Sequence, residues 1–126
     1  MARPPLLTRI RKFCVRVIGL VRVLERQPGG GRDLARQLIR SATSIHANLA
    51  EASASQSRKD FIHKVSLASK EAQETRAWLK LIIDAQYFPS HRLKPLHQES
   101  DEIARILFTI VKRARASSRG DEANLE

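Results

Sequence analysis

SATSIHANLAEASASQSRKDFIHKVSLASKEAQETRAWLKL, Ser41 to Leu81, holds the end of one apolar-periodic run, a short polar gap and the start of a second. In the first run Leu34, Leu38, Ala42, Ile45 and Leu49 recur every three or four residues; in the second Phe61, Val65, Ala68, Ala72, Thr75, Leu79 and Ile82 do the same. That spacing puts side chains on one side of an α-helix, so the stretch predicts a helix, a hinge and a longer helix, each with a seam that must be covered. Ser57 followed three residues later by Asp60 has the form of a capping box, with the hydroxyl accepting from orphan amides and the carboxylate favouring the positive helix end. The second helix is therefore expected to start at about Arg58.

Outward from this hairpin the same periodicity continues. Residues 6–26 read as a first helix, with Leu6, Ile10, Phe13, Cys14, Val17, Leu20, Val21 and Leu24 on one half of the cylinder. Arg9, Arg11, Lys12, Arg16, Arg22 and Arg26 fall on the other half, with no acid among them. Two readings stay open for that half: the solvated side of a core helix, or a rail that contacts phosphates. Pro28 and the glycines from Gly29 to Gly31 form a turn before the second helix, residues 32–52. The third helix spans residues 58–86. Pro89 and Ser90 lead into a fourth, residues 91–116, with Leu96, Ile103, Ile106, Leu107, Ile110 and Val111 as its seam. Its acidic start and basic end, Lys112, Arg113 and Arg115, suit the helix dipole. The expectation is an all-α, antiparallel up-down four-helix bundle in one domain, residues 1–116. Met1 to Pro5 should fray, and 117–126 should be a polar, disordered tail.

Side chains at the margins of the seams need partners. Ser41, Ser44, Asn48 and Glu51, with Arg36 and Arg40 beside them, edge the second helix; their expected role is to fix the hairpin and bond the hinge backbone, and the alternative is to line a binding cleft. Glu71 and Glu74, beside Trp78, would be costly unless paired, and Arg36 or Arg40 are the nearest cations. Leu67, Trp78 and Leu81 widen the apolar arc of the third helix beyond what one core requires. That surplus suggests a subunit interface.

The 126 residues carry 23 basic and 13 acidic side chains, a net charge of +10. The excess is lopsided: residues 1–50 carry ten Lys or Arg against Glu25 and Asp33, while the remainder is nearly balanced. A polyanionic partner is expected, nucleic acid before membrane. The single cysteine, Cys14, makes no internal disulfide, which fits a cytoplasmic location. Arg16 and Arg22 interrupt the first apolar run, so neither a signal sequence nor a membrane span is expected.

Catalytic patterns are missing. His46, His63, His91 and His97 show no ligand spacing, there is no Glu-x-x-His, and Cys14 lies on an apolar face, where an inert thiol is expected. The glycine run lacks the following Lys-Ser or Lys-Thr of a phosphate loop. No enzyme, metal or cofactor is expected.

Taken together, Gln37, Leu38, Arg40, Ser44, Ile45, Asn48, Leu49, Ala50 and Glu51, then Ser57, Asp60, Phe61 and Glu74, resemble the small four-helix-bundle family encoded within bacterial 23S ribosomal RNA intervening sequences. Lys70 to Ile83 looks like the version of the third helix common in one branch of that family. His46 stands where the family often has proline, and Ala52 where it often has glycine. The resemblance implies a homo-oligomer, a ring-like pentamer. A related branch comprises accessory proteins of diversity-generating retroelements, which bind RNA and a reverse transcriptase. The expected function is therefore non-enzymatic binding of an RNA or DNA backbone through basic surfaces, chiefly Arg9, Arg11, Lys12, Arg16, Arg22 and Arg26. The alternative is a protein-interaction scaffold that binds no nucleic acid.

Overall fold

The computed structural model describes residues 5–125, with side chains through residue 120; the expected fraying of residues 1–4 lies outside the described residues. Four helices follow one another: α1 (Leu6–Leu24), α2 (Gly31–Ser53), α3 (Arg58–Asp84) and α4 (Ser90–Leu125). Short turns force each pair to run antiparallel, and the predicted seams meet in a single core. Ile10, Phe13, Val17 and Leu24 of α1 are fully buried with Leu38 and Ile45 of α2, Val65, Leu79 and Ile82 of α3, and Ile103 and Leu107 of α4. Packing is most extensive between α2 and α3 and between α3 and α4, and slightest between α1 and α4. Ile106 and Ile110, expected in the α4 seam, stay half-buried on that open side.

The turns carry the local constraints. After Leu24 the amides of Arg26 and Gln27 bond the carbonyls of Val23 and Leu24, so α1 closes two residues before the expected Arg26. Gly30 has φ +92°, open only to glycine at small cost, and a Cβ on Gly31 would stand 2.4 Å from the Leu24 carbonyl oxygen. The two residues thus let α2 fold back against the end of α1. At the other end Ser57 Oγ accepts from the Asp60 amide at 3.1 Å, which starts α3 at Arg58 as the sequence predicts. The Tyr87 hydroxyl donates to the Gly29 carbonyl and ties the α3–α4 turn to the α1–α2 turn.

The fourth helix departs most from expectation. Pro95 sits inside it near the beginning, and the helix runs on to Leu125 instead of stopping at 116. No proline follows Pro95, Ala114 and Ala116 favour helix, and one Gly120 costs only about 1 kcal/mol relative to alanine. Residues 117–125, expected to be disordered, are therefore helical. Lys112, Arg113 and Arg115 lie in mid-helix, away from the terminal carbonyls they were expected to complement.

Candidate nucleic-acid interface

Helix α1 supplies the densest expected set of binding residues, and its core seam dictates where they point. With Ile10, Phe13, Val17, Val21 and Leu24 buried, Arg11, Lys12, Arg16, Arg22 and Arg26 are carried to solvent. None of the five makes an ion pair among the described residues. Apart from the field Arg16 shares with Glu99, their charge is offset by solvent and ions, which is the condition for exchanging counterions with a phosphate backbone.

Arg9 differs and corrects the sequence reading. It lies at the edge of the α1 seam, turned toward α4, where Nη2 meets Glu99 Oε1 at 2.5 Å and Nε donates to Glu99 Oε2 at 3.0 Å. Nη2 also bonds Glu102. This hydrogen bonding to Glu99 raises the guanidinium pKa against an opposing cost of burial. It holds the Glu99 carboxyl below the usual carboxylate range, helped by the fields of Arg9 and Arg16. Arg9 is a clamp across the thin α1–α4 contact, and its charge is spent inside the protein. Beside it lies an open groove of about 910 Å³, walled by Leu6, Phe13 and Ile106 and edged by Lys12, Arg16 and Arg105.

The polar edge of the α2–α3 hairpin is partly as expected. Arg40 bridges both acids of α3, with Nη1 3.5 Å from Glu71 Oε2 and Nη2 on Glu74. Burial and the neighbouring Glu74 raise the Glu71 pKa. At Glu74 burial also pushes upward, yet the Trp78 indole N–H, 3.2 Å away, and Arg40 outweigh it and lower the value. Glu51 pairs with Lys64 across the hairpin at 2.7 Å. Ser44 and Asn48 do not bond the hinge. Ser44 Oγ donates to the Arg40 carbonyl at 2.8 Å and Asn48 Nδ2 to the Ser44 carbonyl at 2.9 Å, one turn back in their own helix. Sequence reading missed the buried contact that crosses the hairpin, Thr75 Oγ1 to Ser41 Oγ at 2.9 Å. The signal was available, because Thr75 is a polar member of the α3 seam and Ser41 lies at the margin of the α2 seam.

Leu67 and Trp78 are half-buried on the outer strip of α3, and Leu81 is 53% exposed there. Cys14 donates to the Ala42 carbonyl at 3.2 Å, and burial pushes its thiol up to about 11, away from nucleophilic use. Among the described residues no three His, Cys, Asp or Glu converge as a metal site would require, and no helix is long and apolar enough to cross a membrane.

Residues 7–109 match the family described as 23S rRNA-intervening sequence protein. The chain belongs to that family. A solved structure agrees: a protein of unknown function from the S23 ribosomal protein family of Bacteroides thetaiotaomicron is 35% identical, with a TM-score of 0.77. The match covers 86% of this chain and 99% of that one. A comparison with curated proteins gave no match. The intervening-sequence family segment ends at residue 109, so the last four turns of α4 lie beyond it. Those turns hold Lys112, Arg113, Arg115 and Arg119, all exposed.

Proposed function

We propose that this intervening-sequence protein is a non-enzymatic helical bundle that binds nucleic acid through α1 and the turn that follows it. Arg11, Lys12, Arg16, Arg22 and Arg26 are its phosphate contacts. One observation carries the reading: these five exposed cations, which make no ion pair among the described residues, are crowded on one helix and the turn after it, whereas Arg9, Arg40, Lys64, Arg76, Lys80 and Arg105 are all paired. The family's tie to ribosomal RNA favours RNA over DNA. Contacts of this kind position a backbone and carry little sequence information.

Filter binding of a structured RNA at two salt concentrations tests the reading. Affinity should fall steeply with salt, and each Arg or Lys changed to Gln should lower the log–log slope by about 0.7–0.9. Affinity indifferent both to salt and to loss of the five charges would overturn it.

Assembly as a homo-oligomer, a pentamer by the family resemblance, is part of the proposal, with Leu67, Trp78 and Leu81 at the subunit contact. The exposure of Leu81 next to Trp78 supports it, and also favours the second reading, a protein scaffold without nucleic acid. A clean monomer at micromolar concentration in sedimentation would remove the oligomer from both. The retroelement branch of the family suggests a reverse transcriptase as protein partner. A gene for one beside this protein's gene, with template and variable repeats, supports that partner; location inside a ribosomal RNA gene speaks against it.

A further inference from the structure

The geometry points to a second nucleic-acid contact on α4, a single-strand site in which Phe108 is a stacking platform between basic side chains. It rests on the nucleic-acid reading above and deepens it by naming the class of strand.

Phe108 is 58% exposed although the core lies one helical step away at Leu107. An isolated exposed apolar residue calls for no explanation. Phe108, however, belongs to a line. Arg105, Phe108, Lys112, Arg115 and Arg119 follow one another at steps of three and four, and all five are exposed. Such steps place them along one side of the helix, over about 21 Å at 1.5 Å per residue. Glu102, three residues before the line, takes Arg9, Glu122 stands three residues after Arg119, and Asp101 lies one step before Arg105. It already takes Arg76 Nη1 at 2.9 Å and Arg105 Nε at 3.0 Å. Among the described residues Lys112 and Arg119 make no ion pair, and Arg115 donates to Ser66 Oγ at 3.1 Å.

The neighbouring helix adds to the same surface. The Arg76–Asp101 and Arg115–Ser66 contacts hold α3 alongside α4 on either side of Phe108, and midway between them Phe108 comes level with the exposed Lys70. An aromatic ring open to solvent, with cations one turn away on each side, suits a base that has left its stack. The ring takes the base face while the cations follow the backbone. In a duplex the base faces are already stacked, so the ring has nothing to add there. A second copy of the chain is a poor occupant, because two such lines repel each other.

Binding of the full chain to a short single-stranded oligoadenylate and to a blunt RNA duplex of equal charge separates the possibilities. Phe108→Ala should weaken oligoadenylate binding about 5- to 100-fold, leave duplex affinity unchanged and leave the salt slope intact, since no charge is lost. Phe108→Tyr should restore the affinity and Phe108→Leu should not. Lys112→Gln with Arg119→Gln should lower the slope for oligoadenylate. Equal losses on both probes, no loss on oligoadenylate, or full binding by Phe108→Leu would each overturn the stacking role. A change in sedimenting mass in Phe108→Ala would reassign the ring to a subunit contact and overturn it as well. Wild-type protein that binds neither probe would remove the nucleic-acid reading as a whole; wild-type binding with a silent Phe108→Ala removes the single-strand site alone.

Discussion

Glycine has opposite meanings at two positions of this chain, and the difference can be measured. Gly19 stands on the exposed side of α1 with nothing within 4 Å of a built Cβ, whereas a Cβ at Gly31 would lie 2.4 Å from a backbone oxygen. Gly19→Ala should stabilise the protein by roughly 1 kcal/mol through helix propensity alone. Gly31→Ala should destabilise it by about 1–3 kcal/mol, because a backbone carbonyl has to move and propensity offsets only part of that cost. Thermal unfolding followed by circular dichroism reads both, with Tm moving in opposite directions; a rise for both would mean the α1–α2 turn adapts without strain. The sequence shows three adjacent glycines and hence a turn. It does not show that Gly31 is needed for close approach, because the partner atom becomes a neighbour only after the chain has reversed.

Between α1 and α4 the helices are held by a clamp more than by a seam. The Arg9 and Glu99 side chains are 23% and 22% exposed, so their hydrogen bonds are only partly screened. The folded pKa of Glu99 lies below its ordinary value of 4.5, so its contribution to stability is present above that pH and is lost as pH falls through the depressed value. Arg9→Met should lower stability at neutral pH by roughly 1–2 kcal/mol and flatten the loss of stability below pH 4.5. Urea unfolding across that range checks it, and an acid limb as steep as in the wild type would show that Glu99 owes its shift to something else. Helix existence and the α3 start were legible in the sequence, because periodic seams and the Ser57 cap are local signals. The role of Arg9 was not, since a helical wheel puts it at the rim of the exposed half and only the packing side of α4, ninety residues on, decides what it faces. Phe108 stayed hidden for a related reason: its spacing from Leu107 and Val111 fits the margin of a seam as well as a surface. The end of α4 is not legible in the sequence, because polar composition does not stop a helix where no proline interrupts it.

Across the whole molecule the charges divide into two populations. Paired cations hold helices together at the α1–α4, α2–α3 and α3–α4 contacts, while exposed cations without an ion pair among the described residues occur on every helix and are most numerous on α1 with its following turn and along α4. A protein arranged this way should keep its fold at salt concentrations that would abolish the proposed nucleic-acid binding, because half-buried pairs are screened less than exposed charges. The outer strip of α3 differs from both basic surfaces in being apolar, with Leu81 exposed beside half-buried Leu67 and Trp78. Trp78 lies in that strip, donates to Glu74 and is the single tryptophan of the chain. The indole emission of the entire protein therefore comes from one address. Diluting the protein through a subunit equilibrium should shift that emission to the red if the strip is buried between copies, and leave it still if copies meet elsewhere. The chain thus carries a built-in optical test of whether copies meet at this strip, readable without a label.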